Sequence, residues 1–520
     1  MVLVTDMANN IKTKQIALSE IFYLCFIVLM LFAKGIGLYD GQLSYKLFLI
    51  VAVFFYVLKM LMTSYSIWEF TIITFFLLIG GLSYFISGEK GILIYIFMVT
   101  GMTNVPLKRI FNVAFITWII SFGGMFLLTV THILESPFKI HDKFGAGYLI
   151  RWGLGHSHPN VLHISYLTLV MLSIYLLNKH FDLKWFIILL FGNIYVFLYS
   201  LSSTGFISVC FLLSFNLYWY YRKRFNIAEN VLVSAILPIC LILSMLVPVI
   251  LTGQAFDIVN KIVNTRLRLS RHFLLENPIS LFGTRSSNIT NQWYTMDNSY
   301  IYLYVLHGII LFSVIMIAYF VIIRRYLKTE KGMELSIILT TLVTGITEPF
   351  MFNTSFKNLS LFFFGELIFE DKKTIYFLPV KIRAVTITLL DYGFLLQSKA
   401  IKIKKVYQSK RRRIWLFTGA IMLITGFMFG VFQNPPDAFI APRNQTDASK
   451  LEAVYLDSLS EMEGLNIKIL GCIDNTTEIV VFSGNIVILE WIRGIVTGML
   501  LVGFASFCCI ISIIFKKSGQ

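Results

Sequence analysis

Four arginines are concentrated in one polar segment, residues 254–300, of a predominantly apolar chain: Arg266, Arg268, Arg271 and Arg285. If the segment is helical, Arg268 shares one face with Arg271, three residues on, and with His272, four residues on. Guanidinium groups bind phosphate oxygens in pairs and stay charged at any relevant pH. The spacing therefore predicts a binding site for a phosphate-type anion.

The same arginines have a simpler interpretation. They could contact lipid headgroups, or they could pair with Asp257 and Glu276 within the same segment. Both interpretations require the segment to lie at the surface of a membrane.

An acid follows where the polar segment becomes apolar again. Asp297 and Asn298 directly precede the run SYIYLYVLHGIILF. A carboxylate near a low-dielectric boundary can serve as a general base, because burial raises its pKa, whereas nearby arginines lower it. The alternative is a helix N-cap, for which Asp and Asn are both preferred. The two roles are compatible.

A second polar group, RWGLGHSHPN, precedes another apolar run. It contributes Arg151, His156, His158 and Asn160, and Pro159 is suited to the first position of a helix. Free backbone N–H groups at a helix N-terminus can hold an anion, so this group could form half of a phosphate pocket. The alternative is a set of interfacial polar side chains where the helix begins.

Weaker candidates lie in other connections between apolar runs. In SLSSTG, Ser202, Ser203 or Thr204 is more typical of a helix cap than of a substrate contact. Glu348, before Pro349, is an additional carboxylate. Three aromatic residues could stack on a ligand or anchor the chain at the membrane interface: Trp152, Trp293 and Tyr294.

The elements that must position these residues are membrane helices. The composition is 57% hydrophobic, and a spanning helix needs about 20 mostly apolar residues. We predict an all-α polytopic membrane protein with about fourteen transmembrane helices, near 18–37, 45–64, 67–87, 91–104, 110–131, 160–178, 185–201, 203–221, 229–251, 299–323, 334–350, 355–369, 414–433 and 485–515.

Charge distribution predicts the orientation of these spans. With a cytoplasmic N-terminus, the short basic loops all fall inside, as the preference of cytoplasmic loops for Lys and Arg requires. Both termini are then inside, and no removable signal peptide is expected. The segments with candidate chemistry fall outside, including a large, partly helical extracytoplasmic loop before the tenth span.

Much of the net charge of +16 lies in residues 371–413, which contain twelve Lys and Arg. Such segments typically contact anionic membrane lipids and fix topology, and this one lacks the interleaved aromatics expected of nucleic-acid binding. We divide the chain into a twelve-helix core (1–370), a basic cytoplasmic linker (371–413) and a C-terminal two-helix hairpin with an extracytoplasmic loop (414–520).

The chain lacks the sequence motifs of several classes of enzyme and metal-binding protein. The chain has no GxxxxGK[ST] phosphate loop and no DxD pair for a metal-bound sugar nucleotide, and its cysteines form no CxxC pair. Ionisable residues within the predicted spans are few, which argues against an ion-coupled pathway. We expect no cofactor and no metal.

The order RWGLGHSHPN, SLSSTG, Arg-rich loop and DNSYIYLYVLHG resembles the O-antigen ligase and polymerase superfamily over residues 1–370, most closely the Gram-positive capsular or exopolysaccharide polymerases. The resemblance implies transfer of a glycan from a polyprenyl-pyrophosphate carrier to a sugar hydroxyl outside the bacterial plasma membrane. It makes Asp297 the candidate base, and the arginines with Asn298 candidate substrate ligands. The ligase branch has histidine where this chain has Asp297, which favours a polymerase.

The resemblance also implies partners: a lipid-linked oligosaccharide, surrounding membrane lipids, a flippase and a chain-length regulator. Two alternatives remain open. A ligase of the same superfamily would attach a finished glycan to a different acceptor, and a lipid-linked oligosaccharide flippase would need a central polar cavity.

Overall fold

The computed structural model describes most of the chain up to residue 369 and short stretches after it. The described residues are 16–130, 133–134, 136–142, 148–222, 224–263, 265–277, 279–285, 296–369, 386–387, 438–442, 452–454, 468–474, 477–481, 489 and 492–500. The predicted span 414–433 and the aromatic residues Trp293 and Tyr294 lie outside them. Of the predicted span 485–515, the described residues 489 and 492–500 are helical.

The described chain is mostly helical. Its helices, in order, are α1 (Leu18–Gly35), α2 (Leu43–Leu61), α3 (Ile67–Ser87), α4 (Gly91–Thr100), α5 (Leu107–Val130), α6 (Pro159–Leu177), α7 (Leu183–Ser200), α8 (Ser203–Arg222), α9 (Ile227–Ile250), α10 (Gly253–Ile262), α11 (Arg266–Glu276), α12 (Ser299–Lys328), α13 (Gly332–Thr344) and α14 (Leu361–Phe369).

Eight of the described helices are long and apolar enough to cross a membrane: α1, α2, α3, α5, α6, α7, α9 and α12. Many of their large apolar side chains are exposed, among them Leu43, Phe85 and Ile227. In water such exposure would be costly, whereas in a bilayer these side chains contact lipid. The protein is therefore a polytopic helical membrane protein, as predicted.

The remaining predicted spans before residue 370 coincide with helices that are too short or not apolar enough to count as membrane-crossing helices. At about 1.5 Å per residue, α4, α13 and α14 are too short to cross a hydrocarbon core of roughly 30 Å alone. The helix α8 is long enough but less apolar. The total of fourteen spans and their orientation therefore stay predictions.

Local sequence explains where several helices begin. Ser66 caps α3 and forms a capping box with Glu69, and Asn226 does the same for α9 with Glu229. Pro159 occupies the first turn of α6, where its missing N–H costs nothing.

The described residues form two compact units, which we call the helical core (within 17–127 and 155–385) and the second unit (within 1–16, 128–154 and 386–520). In the helical core, one face of α1 is fully buried, with Tyr23, Phe26 and Met30 at no measurable exposure. The helices α2 and α3 bury few side chains by comparison. The core thus has an inner set of helices and an outer, lipid-facing set.

The long helix α12 is interrupted at Gly308, which has a φ of 83° that favours glycine. The segment from Ser280 to Thr284 lies against the break. Ile309 N–H donates to Ser280 O at 2.9 Å, and Thr284 N–H donates to Val305 O at 3.0 Å. The segment thereby satisfies backbone groups that the break would otherwise leave unpaired in an apolar surrounding.

The second unit contains strands that the sequence did not predict. A hairpin pairs β1 (Phe138–Asp142) with β2 (Tyr148–Trp152). The four strands β3 (Ala438–Pro442), β4 (Glu452–Val454), β5 (Lys468–Asp474) and β6 (Thr477–Val481) form an antiparallel sheet in the order β4-β3-β6-β5. The domain boundaries given above stay a prediction.

Candidate functional site

The candidate site is built around Arg266, the first residue of α11. Its Nε donates to Thr347 O at 2.9 Å, and its Nη2 donates to Glu348 Oε1 at 3.3 Å. A guanidinium has five N–H groups in a rigid plane, so these bonds fix its orientation and leave other donors free. Arg266 is thus held in place by the connection after α13.

Glu348 links three parts of the helical core. Its Oε1 accepts from Arg266 and also from Asn160 Nδ2, at 3.0 Å, in the first turn of α6. Its backbone oxygen accepts from the Ser299 hydroxyl at 2.6 Å, where α12 begins. Glu348 is 8% exposed, so solvent screens these contacts little.

At the start of α12, the helix cap and the candidate base are different residues, which the sequence alone did not distinguish. Asn298 is the N-cap, because its Oδ1 accepts from the Tyr300 and Ile301 N–H groups at 2.9 and 3.3 Å. Its Nδ2 donates to Ser244 Oγ at 3.0 Å. Asp297, one residue earlier, is therefore not needed as the cap.

Asp297 instead lines a small open cleft together with Arg266. The cleft lies between α11 and the start of α12, and its walls are formed by Arg266, Leu269, Ser270, Phe273, Met296, Asp297, Asn298 and Ile301. The predicted acid, one predicted arginine and Asn298 therefore meet at one place.

The other arginines of the segment are placed differently. The predicted helix is present as α11, but Arg268 is exposed, and so is Arg285. Arg271 donates to Val249 O and Leu251 O at 3.3 and 3.1 Å, and its guanidinium covers the Phe256 ring at 4.5 Å. His272 pairs with Glu276 at 2.8 Å. Among the arginines of this segment, only Arg266 lines the cleft.

The GHSHPN group contributes to the site through Asn160. His158 is the N-cap of α6, and its Nδ1 accepts from Asn160 N–H at 3.0 Å. His156 is 1% exposed and packs on the Phe122 ring, with centroids 5.7 Å apart. Burial lowers the pKa of His156 well below its usual range, so the ring is neutral at pH 7.

Arg151 belongs to the second unit, not to the helical core that holds the cleft. It lies in β2, opposite Lys139, and is buried. Trp152 lies in the same strand and packs on Phe138, with ring centroids 5.1 Å apart.

SLSSTG has a structural role. The Ser202 hydroxyl accepts from Gly205 N–H at 3.4 Å at the start of α8, as a capping residue would. A Cβ on Gly205 would lie 2.5 Å from His163 Cγ, so the glycine allows close packing. His163 is itself hydrogen bonded to Ser200 and Asn193, each at 2.8 Å.

Sequence reasoning gave Glu348 little weight, although it connects Arg266, Asn160 and α12. The dipeptide Glu348-Pro349 between two apolar runs was the available signal, since a carboxylate there must find a partner. No motif in the sequence marks the two buried lysines at the same end of the core, Lys34 and Lys357.

This arrangement can perform a limited set of chemical tasks. A fixed guanidinium can bind and stabilise an anion, and a carboxylate beside it can orient or deprotonate a hydroxyl. The described residues contain no cluster of His, Cys, Asp and Glu suited to a metal ion. Arg266 beside Asp297 is the donor set of an anion site with an adjacent acid.

The fold and the site together define a class: a polytopic helical membrane protein with a polar cleft at one end of its bundle. Comparison with protein-family models, curated proteins and solved structures finds no match. The superfamily resemblance therefore stays a prediction.

Proposed function

We propose that the protein is a membrane glycosyltransferase that polymerises polysaccharide from lipid-pyrophosphate-linked glycan units. The cleft would lie on the outer face of the bacterial plasma membrane, with fourteen spans and both termini inside. The observation that carries the proposal is the fixed Arg266 guanidinium in the same cleft as the Asp297 carboxylate.

In the proposed reaction, the bond between the anomeric carbon and the pyrophosphate oxygen breaks, and the electron pair leaves with the pyrophosphate. The acceptor hydroxyl oxygen bonds to the anomeric carbon, and its proton passes to Asp297. Arg266 stabilises the charge that develops on the leaving group. Glu348 and Thr347 act indirectly, because they hold Arg266 in position.

The test is reconstitution of the full-length protein in lipid vesicles with authentic lipid-pyrophosphate repeat units. A polymerase yields a ladder of products that differ by one repeat. A single product on a different acceptor would instead identify a ligase. The proposal fails if authentic substrate gives no extended product.

A second candidate function is transport of a lipid-linked glycan. Transport would need a central polar cavity, and a second polar cavity at one end of the core would supply one mouth of such a path. A cavity of about 890 Å³ lies at the other end of the helical core, among residues that follow α6, the last turns of α8 and the residues where α13 begins. Aromatic, amide and acidic side chains line it, including Trp219, Asn216 and Glu334. Such walls suit a sugar, and the volume falls within the usual range for ligand pockets. Movement of labelled lipid-linked glycan across vesicles, without extension, would support this candidate.

A further inference from the structure

Three buried polar side chains lie in chain segments that pack close together at the cleft end of the helical core. Lys34 is in the last turn of α1, His156 is just before α6, and Lys357 is in the connection before α14. Their exposed fractions are 5%, 1% and 3%. None of them lines the Arg266 cleft.

Several contacts bring these three residues together. The turn after Lys34 packs on the chain before His156 so closely that a Cβ on Gly37 would lie 2.1 Å from Gly155 O. Lys34 Nζ lies 3.6 Å from the centre of the Tyr45 ring, and the Tyr45 hydroxyl donates to Thr354 O at 3.5 Å.

Both lysines interact only with neutral groups at hydrogen-bond distance. Lys357 Nζ donates to Ser165 Oγ at 2.7 Å and Val161 O at 3.3 Å, and Lys34 Nζ donates to Leu38 O at 3.2 Å. Among the described residues, no carboxylate forms an ion pair with either ammonium group. Burying a cation without a counter-ion is costly, and two neighbouring cations also repel each other.

The nearby carboxylates already have other cationic partners. Asp40 pairs with Lys90 at 2.6 Å, and Glu348 pairs with Arg266 at 3.3 Å. The described part of the chain thus contains two buried ammonium groups, and no described carboxylate neutralises either of them directly.

His156 adds a second, independent observation. Both of its ring nitrogens are buried and have no hydrogen-bond partner. A buried polar atom without a partner is rare and points to a group that binds there. As a neutral ring, His156 offers one N–H donor beside the two lysines.

We propose that Lys34, His156 and Lys357 form a second binding site for a compact anion, either a phosphate group or the carboxylate of an acidic sugar. The anion would neutralise both lysines and accept from the His156 ring. Anion binding as such does not depend on the proposed function. Assignment of the anion to a lipid-linked or acidic glycan rests on it.

The test measures anion binding to the detergent-purified full-length protein by calorimetry. Inorganic phosphate and glucuronate serve as the two probes. The variants are Lys357→Met and Lys34→Met, which remove charge with little change in length. Lys59→Met is the matched control, because Lys59 is also a buried lysine, bonded to Thr63 Oγ1 at 2.7 Å and Thr103 O at 2.8 Å.

We expect at least one probe to bind, and each site variant to weaken it by about tenfold or more, as loss of a charge-assisted hydrogen bond implies. Lys59→Met should bind like the native protein. Phosphate binding alone assigns the site to a phosphate group, and glucuronate binding alone assigns it to an acidic sugar. If one lysine variant does not fold, the other and a His156→Phe variant provide the same comparison.

The inference is overturned if neither probe binds, or if folded Lys34→Met and Lys357→Met bind as the native protein does. It is also overturned if Arg266→Lys abolishes binding while both lysine variants retain it, since the anion would then occupy the Arg266 cleft. A product ladder without anion binding would refute this site and leave the proposed function intact. Anion binding without a product ladder would support this site and refute the proposed function.

Discussion

At the scale of single residues, Arg266 differs from its neighbours by how firmly it is held. Thr347 O and Glu348 Oε1 fix two of its donors, whereas Arg268, two residues along the same helix, is exposed. A fixed donor stabilises developing charge without having to reorganise during the reaction. Arg266 is therefore distinguished from the other arginines of the segment by its fixed position.

We predict that Glu348→Gln and Glu348→Ala differ in effect. Glutamine keeps an oxygen that can accept from Arg266 and Asn160, whereas alanine leaves both donors without this partner. Alanine should lower polymerisation about tenfold more than glutamine, because a misplaced guanidinium stabilises the leaving group less well. Initial rates of product formation on saturating donor measure this. Equal rates for the two variants would contradict a positioning role.

We predict that Asp297→Asn lowers polymerisation by about 10²- to 10⁴-fold, the usual contribution of a general base. Thermal stability should stay close to native, because Asn298 and not Asp297 caps α12. Asp257→Asn is the control, since Asp257 is an exposed acid of the same polar segment. Native activity in Asp297→Asn would refute the base assignment.

At the scale of elements, the broken helix α12 determines where the polar segment can lie. Gly308 allows the break, and Ser280 and Thr284 provide backbone partners to the turns around it. A Cβ on Gly308 would lie 2.4 Å from Leu281 O and would also require an unfavourable φ. The described residues Ser280–Thr284, which follow α11, are thereby fixed against α12.

We predict that Gly308→Ala destabilises the protein by about 2 kcal/mol or more, through the strained φ and the clash with Leu281. Gly81→Ala in α3 is the matched control, because a Cβ there meets nothing within 4 Å. That change should be neutral or slightly stabilising, as alanine favours helix. Thermal unfolding in detergent compares the two. Similar melting temperatures would show that the break does not require glycine.

Parts of this arrangement could be predicted from sequence, for identifiable reasons. The sequence predicted a partly helical segment around the arginines and a helix cap at Asp297 or Asn298, and the structure has the helix α11 and the cap Asn298 there. Sequence spacing could not show that Arg271 contacts the end of α9 or that Glu348 accepts from Asn160, since these contacts join distant segments. Sequence spacing could not bring Lys34 and Lys357 together either, because they are also far apart in the chain.

At the scale of the whole molecule, the proposed reaction requires the cleft to face outward. The described helices establish a membrane protein, but their lengths do not fix its orientation. Charge bias in the loops is the basis for the predicted topology.

We predict that a cysteine at Arg268 is labelled by an impermeant thiol reagent from outside intact cells. A cysteine at Arg324, which is also exposed, should be labelled only after the membrane is opened. The native cysteines are replaced beforehand. The resulting cysteine-free protein is the control and should not be labelled. The opposite pattern would reverse the topology and contradict outer-face chemistry.

The most direct test of the central claim compares Arg266→Lys with Arg268→Lys in reconstituted vesicles supplied with lipid-pyrophosphate repeat units. Both changes keep the charge on the same helix, but lysine at 266 cannot reproduce the bonds to Thr347 and Glu348 in one plane. The account predicts a native product ladder for Arg268→Lys and a ladder reduced about 10²-fold for Arg266→Lys. Equal ladders from the two variants, or none from the native protein, would contradict it.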